Sequence, residues 1–290
     1  MLWRRSHERE ASQFLEGPPV TYPLEVVVLP TPEDVDTYAA NAVIAQQKMK
    51  PKSVYIMPTG STPKGFYQRI VDACKKRQVS FRKATIFNLD EYWKIDPWHP
   101  DSYASYMRVN LIDHIDIKAK NWHIPNGNTD NPIAEAKRYE ALLNKHQPID
   151  LAILGIGMNG HIGFNEPGTA VDAPTSFVKL HQSTIERNSD QLVASNETKL
   201  HALTIGPAEI LKADRIMLLA KGIDKADAVN RAIRGQETSQ LPASYLRRNK
   251  KVTFVLDEAA ALYLPKTIRG THSSRREEQR YSQVQFGYSV

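Results

Sequence analysis

The chain has 290 residues, 41% hydrophobic and 24% charged, with a net charge of +6 and one cysteine. That length can bury a large core and sits near the upper end for a single domain. A lone cysteine excludes an internal disulfide and fits a reducing compartment. The body lacks the basic stripe interleaved with aromatics that a nucleic-acid surface shows, and the apolar run 151–158 is far too short to span a membrane. Basic residues at the start (Arg4, Arg5) have no apolar segment behind them, so they do not read as a secretory signal. A cytosolic location follows. From Lys266 onward five basic residues (Lys266, Arg269, Arg275, Arg276, Arg280) outweigh two acidic ones (Glu277, Glu278), which accounts for half of the net charge. The reading is therefore an N-terminal extension over 1–20, one domain over 21–265 and a flexible basic tail over 266–290.

In chain order, "LEVVVL" (24–29) reads as a buried strand, and "PEDVDTYAANAVIAQQKM" (32–49) repeats apolar positions at helical spacing. "SVYIM" (53–57) is a strand followed by a helix opening at Pro63. "ATIFNL" (84–89) precedes a polar loop, then "DSYASYMRVNLI" (101–112) reads as a helix capped by Asp101. "NPIAEAKRYEALLNK" (131–145) is helical and "DLAILG" (150–155) a strand. "HALTIG" (201–206), "RIMLLA" (215–220) and "KVTFVL" (251–256) are further strands, with a helix over "DKADAVNRAIRG" (224–235). Strands separated by helices predict a Rossmann-like α/β fold: an open, mostly parallel sheet with helices on both faces. In such sheets ligands bind outside the carboxyl ends of the strands, which selects segments 58–62, 89–94, 155–168 and 221–225.

"MPTGSTPKG" places Gly60, Ser61 and Thr62 just ahead of a helix. Backbone N–H groups and hydroxyls there suit a phosphate, although a plain strand–turn–helix connection has the same composition. It is not a P-loop, because no "GK[ST]" follows. "NLDEYW" puts Asp90 and Glu91 at a strand end beside Tyr92 and Trp93. A carboxylate desolvated by aromatics can act as a base; a helix cap or surface pair is the plainer use of such a dipeptide. "LGIGMNGHIGFNEPG" (154–168) carries Asn159, His161, Asn165 and Glu166 on glycine-rich backbone. A histidine and a carboxylate five residues apart on that loop can turn towards one another, with the carboxylate orienting the imidazole for proton shuttling. Metal binding is disfavoured by the lack of a second ligand at the right spacing. Lys225, read as sitting one turn into the helix that follows a strand, can point a charge back at a bound anion, the alternative being a solvated helix face. The other histidines (His7, His99, His114, His123, His146, His181, His201, His272) are read as surface or helix-end residues, and Cys74 as a half-buried helix position.

Together, "MPTGSTP", "FNLDEYW" followed by "HPDSY", "GIGMNGHIGFNEPG" and "KGIDKADA" resemble the glucosamine-6-phosphate deaminase (isomerase) family over about residues 24–262. The resemblance implies conversion of glucosamine 6-phosphate and water to fructose 6-phosphate and ammonia, with no metal or organic cofactor. It implies Asp90 as the base between C2 and C1, His161 with Glu166 as the ring-opening pair, and Gly60, Ser61, Thr62 and Lys225 as phosphate ligands. Family members carry either aspartate or asparagine at the place of Asn159. An amide can accept a hydrogen bond and position the ring but cannot stabilise an imidazolium by charge, so Asn159 is a supporting residue.

This sequence departs from the pattern at "IERNSDQL", where Asp190 stands in place of a phosphate-gripping arginine. Arg187, almost one helical turn earlier, is expected to substitute for it. Ser176 and Val178 stand where allosteric members place basic residues, so activation by N-acetylglucosamine 6-phosphate is not expected. The partner implied is a small sugar phosphate, with a homo-oligomer as one of the arrangements the family shows. The rival readings are a 6-phosphogluconolactonase-like hydrolase, a sugar-phosphate-binding regulator, and an enzyme of shifted amino-sugar-phosphate specificity.

Overall fold

The computed structural model describes residues 24–182, 184, 185 and 200–269. Seven parallel strands form the main sheet in the order β1-β10-β9-β6-β2-β3-β5. These are β1 (Glu25–Leu29), β2 (Val54–Met57), β3 (Thr85–Asn88), β5 (Trp122–His123), β6 (Leu151–Gly155), β9 (Ile216–Ala220) and β10 (Val252–Asp257). A second, antiparallel sheet has the order β4-β8-β7, from β4 (Asp90–Tyr92), β7 (Ser176–Lys179) and β8 (His201–Thr204). The principal helices are α1 (Pro32–Met49), α2 (Lys64–Lys75), α3 (Tyr103–Asn110), α4 (Pro132–Lys145) and α5 (Ala226–Arg234).

The inner strands are buried on both sides, as parallel strands with crossover helices must be, while the edge strands β1 and β5 are only partly covered. Their side chains alternate between two cores: Tyr55 and Met57 point one way with Leu151 and Ile153, while Ile56 points the other way with Ala152 and Leu154. Helices α1, α2 and α3 cover the first face, and α4 and α5 the second. Each fully buried Leu or Ile here contributes about 1.5–3 kcal/mol of transfer free energy, which holds the strand ends where the site is built. The α1 N-terminus shows why the sequence reading of 32–49 succeeds: Thr31 and Asp34 form a reciprocal capping box, with Pro32 in the first turn.

Strand order reverses between β2 and β6. From β2 the chain proceeds outward through β3 to β5, then returns to β6 on the other side and proceeds through β9 to β10. A crevice at that reversal is where open α/β sheets bind ligands.

Several local readings change. "HALTIG" is a strand, but it pairs antiparallel with β4 and β7 and stands outside the main sheet. Ser102, not Asp101, caps α3, its hydroxyl accepting from the Ser105 amide at 2.9 Å. His123 and His201 are half-buried strand residues rather than surface or helix-end ones: His123 packs on Phe87, and the His201 ring stacks on Phe177 with its Nδ1 buried. Burial, with His146 and Arg138 nearby, lowers the His123 pKa to about 4. Lys266–Arg269 form a short helix, with Ile268 packed against the core.

Candidate active site

A cavity of about 450 Å³ opens at the carboxyl ends of β2, β3 and β6. Its lining draws on all four segments that strand position selects: Pro58 to Thr62, Leu89 and Asp90, residues of the loop after β6, and Lys225. Thus Gly60, Ser61, Thr62, Asp90, Asn159, His161 and Lys225 come together around one space. Glu166 stands immediately behind His161. Arg187 and Asp190 lie outside the described residues.

The loop after β2 turns at Gly60, whose φ of +98° is a region L side chains rarely adopt. A Cβ there would meet nothing within 4 Å, so it is backbone conformation, not space, that calls for glycine. Pro63 then precedes the first turn of α2.

Asp90 and Glu91 separate into two duties because successive residues of a strand point to opposite sides. The Glu91 carboxylate turns inward and accepts the amides of Tyr92, Tyr103 and Ala104, each at 2.9 Å. It therefore anchors the N-terminus of α3. Burial nonetheless pushes its pKa up to about 7, against those three hydrogen bonds. Asp90 lines the cavity with 5% of its surface exposed, and its Oδ1 is buried without a hydrogen-bond partner. Burial, and secondarily the Glu91 charge, raise its carboxyl well above the ordinary range, while a hydrogen bond with Thr59 offsets part of this. Tyr103, stacked parallel to Phe164 with 5.9 Å between ring centroids, forms the adjoining wall.

The loop after β6 closes on itself. The Gly157 amide donates to the His161 carbonyl at 2.9 Å, and the His161 ring lies against Gly157, where a Cβ would fall 2.3 Å from it. His161 Nδ1 sits 3.3 Å from Glu166 Oε2, at ion-pair distance but without the alignment of a hydrogen bond. Asn159 Nδ2 donates to Glu166 Oε2 at 2.9 Å and its Oδ1 accepts the His161 amide at 3.2 Å. The amide thus works through Glu166 and the backbone, and touches the imidazole by neither hydrogen bond. The Thr184 hydroxyl donates to Glu166 Oε1. Burial alone would raise the Glu166 carboxyl; the His161 imidazole and the bonds from Thr184 and Asn159 outweigh it and hold the pKa at about 2. Asn165, the second amide of the loop, is a staple: its Nδ2 donates to the carbonyls of Ile162 and Ile205, each at 2.8 Å.

Lys225 ends a short 3-10 turn, Ile223–Lys225, immediately before α5, rather than sitting one turn into that helix. The turn is braced by the Gly222 amide on the Asp257 carboxylate, and Lys225 Nζ lies 3.1 Å from Asp224. Thr59, Tyr103 and Thr184 are site residues the sequence reading did not assign. Thr59 and Tyr103 stand inside stretches it quoted; Thr184 has no local signal, since only the fold brings it to Glu166.

A family model described as glucosamine-6-phosphate isomerases/6-phosphogluconolactonase matches residues 32–255. The chain belongs to this family. It is 42% identical over 243 residues to a glucosamine-6-phosphate deaminase of Rhodopirellula baltica, covering 84% of this chain and 97% of that one. A solved monomeric glucosamine-6-phosphate deaminase superposes with a TM-score of 0.80 at 38% identity, covering 82% of this chain and 99% of that structure. The 6-phosphogluconolactonase of Trypanosoma brucei shares the fold, with a TM-score of 0.67 at 21% identity, covering 84% of this chain and 100% of that one. Among the described residues no helix is long and apolar enough to cross a membrane, and no group of three His, Cys, Asp or Glu side chains is placed to hold a metal ion.

Proposed function

We propose that the chain converts glucosamine 6-phosphate and water to fructose 6-phosphate and ammonia. The observation that carries this reading is Asp90: a buried, partly unpaired carboxyl group at the cavity wall, raised in pKa, with the His161–Glu166 pair on the same cavity. Isomerisation needs a base beside an acidic C–H whose pKa approaches working pH, and desolvation supplies that here.

In this reading Gly60, Ser61, Thr62 and Lys225 hold the phosphate, which contributes binding energy remote from the reacting carbons. His161 moves the proton at the ring oxygen as the pyranose opens, held by Glu166, while Asn159 and Thr184 hold Glu166. Asp90 then takes the proton from C2 of the open-chain aldose and returns it at C1. The C2–H electrons become a C=C bond, the aldehyde oxygen is protonated, and reprotonation at C1 leaves an imine at C2. Water adds to that carbon and ammonia departs, leaving the ketose. Relatives at 40–43% identity that carry the deaminase name support the same reaction. Lactone hydrolysis abstracts no proton from carbon, so under the lactonase alternative Asp90 would serve only to activate water.

Arg187 is the proposed stand-in for the missing phosphate-gripping arginine, and Arg187→Ala should raise KM with kcat largely kept. An unchanged KM would remove that assignment. A cytosolic location goes with the reading, supported by the single cysteine, half-buried in α2. The decisive assay follows ammonia and fructose 6-phosphate from glucosamine 6-phosphate, beside hydrolysis of a phosphorylated lactone. Lactone hydrolysis without ammonia release would overturn the proposal.

A further inference from the structure

Two tyrosine hydroxyls grip the backbone of the loop after β2 from outside the cavity. Tyr106, on α3, donates to the Gly60 carbonyl at 2.6 Å, and Tyr67, on α2, donates to the Pro58 carbonyl. The two rings meet edge to face, 6.5 Å between centroids. Residues 58 to 62 all line the cavity, whereas neither tyrosine does. Both carbonyls are therefore turned away from it.

In a trans peptide unit the C=O and the following N–H point in opposite directions. A Gly60 carbonyl held by Tyr106 turns the Ser61 N–H the other way, towards the cavity; a Pro58 carbonyl held by Tyr67 does the same for the Thr59 N–H. The loop turns at Gly60 with φ +98°, a conformation glycine adopts without steric cost. We propose that Tyr106, seconded by Tyr67, is a positioning residue for anion binding: its hydroxyl fixes the Gly60–Ser61 peptide plane so that the Ser61 N–H is presented to the ligand's phosphate. The inference rests on the reading of Gly60–Thr62 as the phosphate end of the site.

The chain of support runs back to the acid pair. Glu91 holds the first amides of α3, the helix that carries Tyr106. The dipeptide Asp90-Glu91 thereby ties the proposed base to the orientation of the anion loop at the other end of the substrate.

The test is Tyr106→Phe, which removes the hydroxyl and keeps the ring contact with Tyr67. Inorganic phosphate serves as the probe, read as a competitive inhibition constant and as the phosphate-induced rise in Tm. A lost hydrogen bond of ordinary strength predicts weaker phosphate binding and a higher KM for glucosamine 6-phosphate by the same factor, about five- to tenfold, with kcat changed by less than about twofold. Because each protein is compared with itself with and without phosphate, a variant of lower basal Tm still answers. Tyr67→Phe repeats the measurement at the neighbouring carbonyl. Unchanged phosphate affinity in Tyr106→Phe, or a fall in kcat at constant KM, would overturn the proposal, as would wild-type protein that binds no phosphate. Wild-type protein that binds phosphate but does not turn over glucosamine 6-phosphate removes the proposed activity and leaves this test intact.

Discussion

Asp90 and Glu166 are both carboxyl groups near the carboxyl end of the parallel sheet, with 5% and 8% of their surface exposed, yet their surroundings drive them apart. Asp90 has one unpartnered oxygen and a like-charged neighbour, and its pKa is pushed up. Glu166 has an imidazole, an amide and a hydroxyl directed at it, and its pKa is held at about 2. Burial is common to both; the difference lies in the donors and the neighbouring charge, Glu91 beside Asp90 and His161 beside Glu166. Two titratable groups pushed in opposite directions mark separate acid–base duties. Asp90 is suited to take and return a proton, whereas Glu166 is suited to remain a fixed negative charge beside His161.

The largest effect that would test this contrast is expected from Asp90→Asn. Loss of a general base predicts a fall in kcat of about 10³-fold or more, within the range such groups contribute. The same change should raise stability. A folded pKa above the unfolded one means stability that is present at low pH and lost as pH rises through the raised value. Asparagine is neutral throughout and removes that loss, so the inactive variant should be more stable at neutral pH by about 1 kcal/mol and melt at a higher temperature. In the wild type, the acid limb of kcat/KM should lie above the usual carboxylate range. Rate measurements against pH and thermal melts of both proteins check this, and a variant that is both inactive and less stable would break the comparison.

Glu166→Gln should act in the opposite sense on stability. It removes the charge beside His161 and turns an amide towards the Asn159 and Thr184 donors. A fall in kcat of about 10²-fold is expected, together with a loss of about 2 kcal/mol, since one donor is left facing another. Parallel melts of the Asp90 and Glu166 variants would show their Tm moving in opposite directions if the two environments differ as described.

The contrast was only half legible in the sequence. Asp90, His161 and Glu166 stand in segments that strand position alone selects, and glycine-rich backbone after a buried strand marks the loop. The use of Glu91 was not legible, because its partners, the amides of Tyr103 and Ala104, lie twelve and thirteen residues on and are fixed by the packing of α3. Nor was the second sheet. "HALTIG" has the same apolar character as the parallel strands, and only its pairing with Asp90–Tyr92 sets it apart. That pairing places Asp90 opposite Thr204, whose hydroxyl accepts the Phe164 amide of the histidine loop. Local pattern determines the elements here; the contacts that tune the carboxyl groups come from residues far apart in the chain, where periodicity carries no signal. The same holds for Thr184, whose hydroxyl completes the Glu166 network from eighteen residues away.

Thr184→Val gives the smallest effect and the finest test. Valine matches the shape and removes one of the donors that lower the Glu166 pKa, so that pKa should rise from about 2 while remaining far below neutral. Glu166 therefore stays ionised at working pH, and kcat should fall only a few-fold, the scale of one hydrogen bond. The acid side is where the change should show. A depressed folded pKa contributes stability that is present above the unfolded value, near 4.5, and lost as pH falls towards 2. In Thr184→Val that contribution is smaller and its loss is complete at a higher pH, so the Tm difference from wild type should be largest near neutral pH and shrink on acidification. A difference that is constant between pH 7 and pH 2 would mean that Thr184 supports the loop by packing alone. Glu166 would then owe its low pKa to His161 and Asn159.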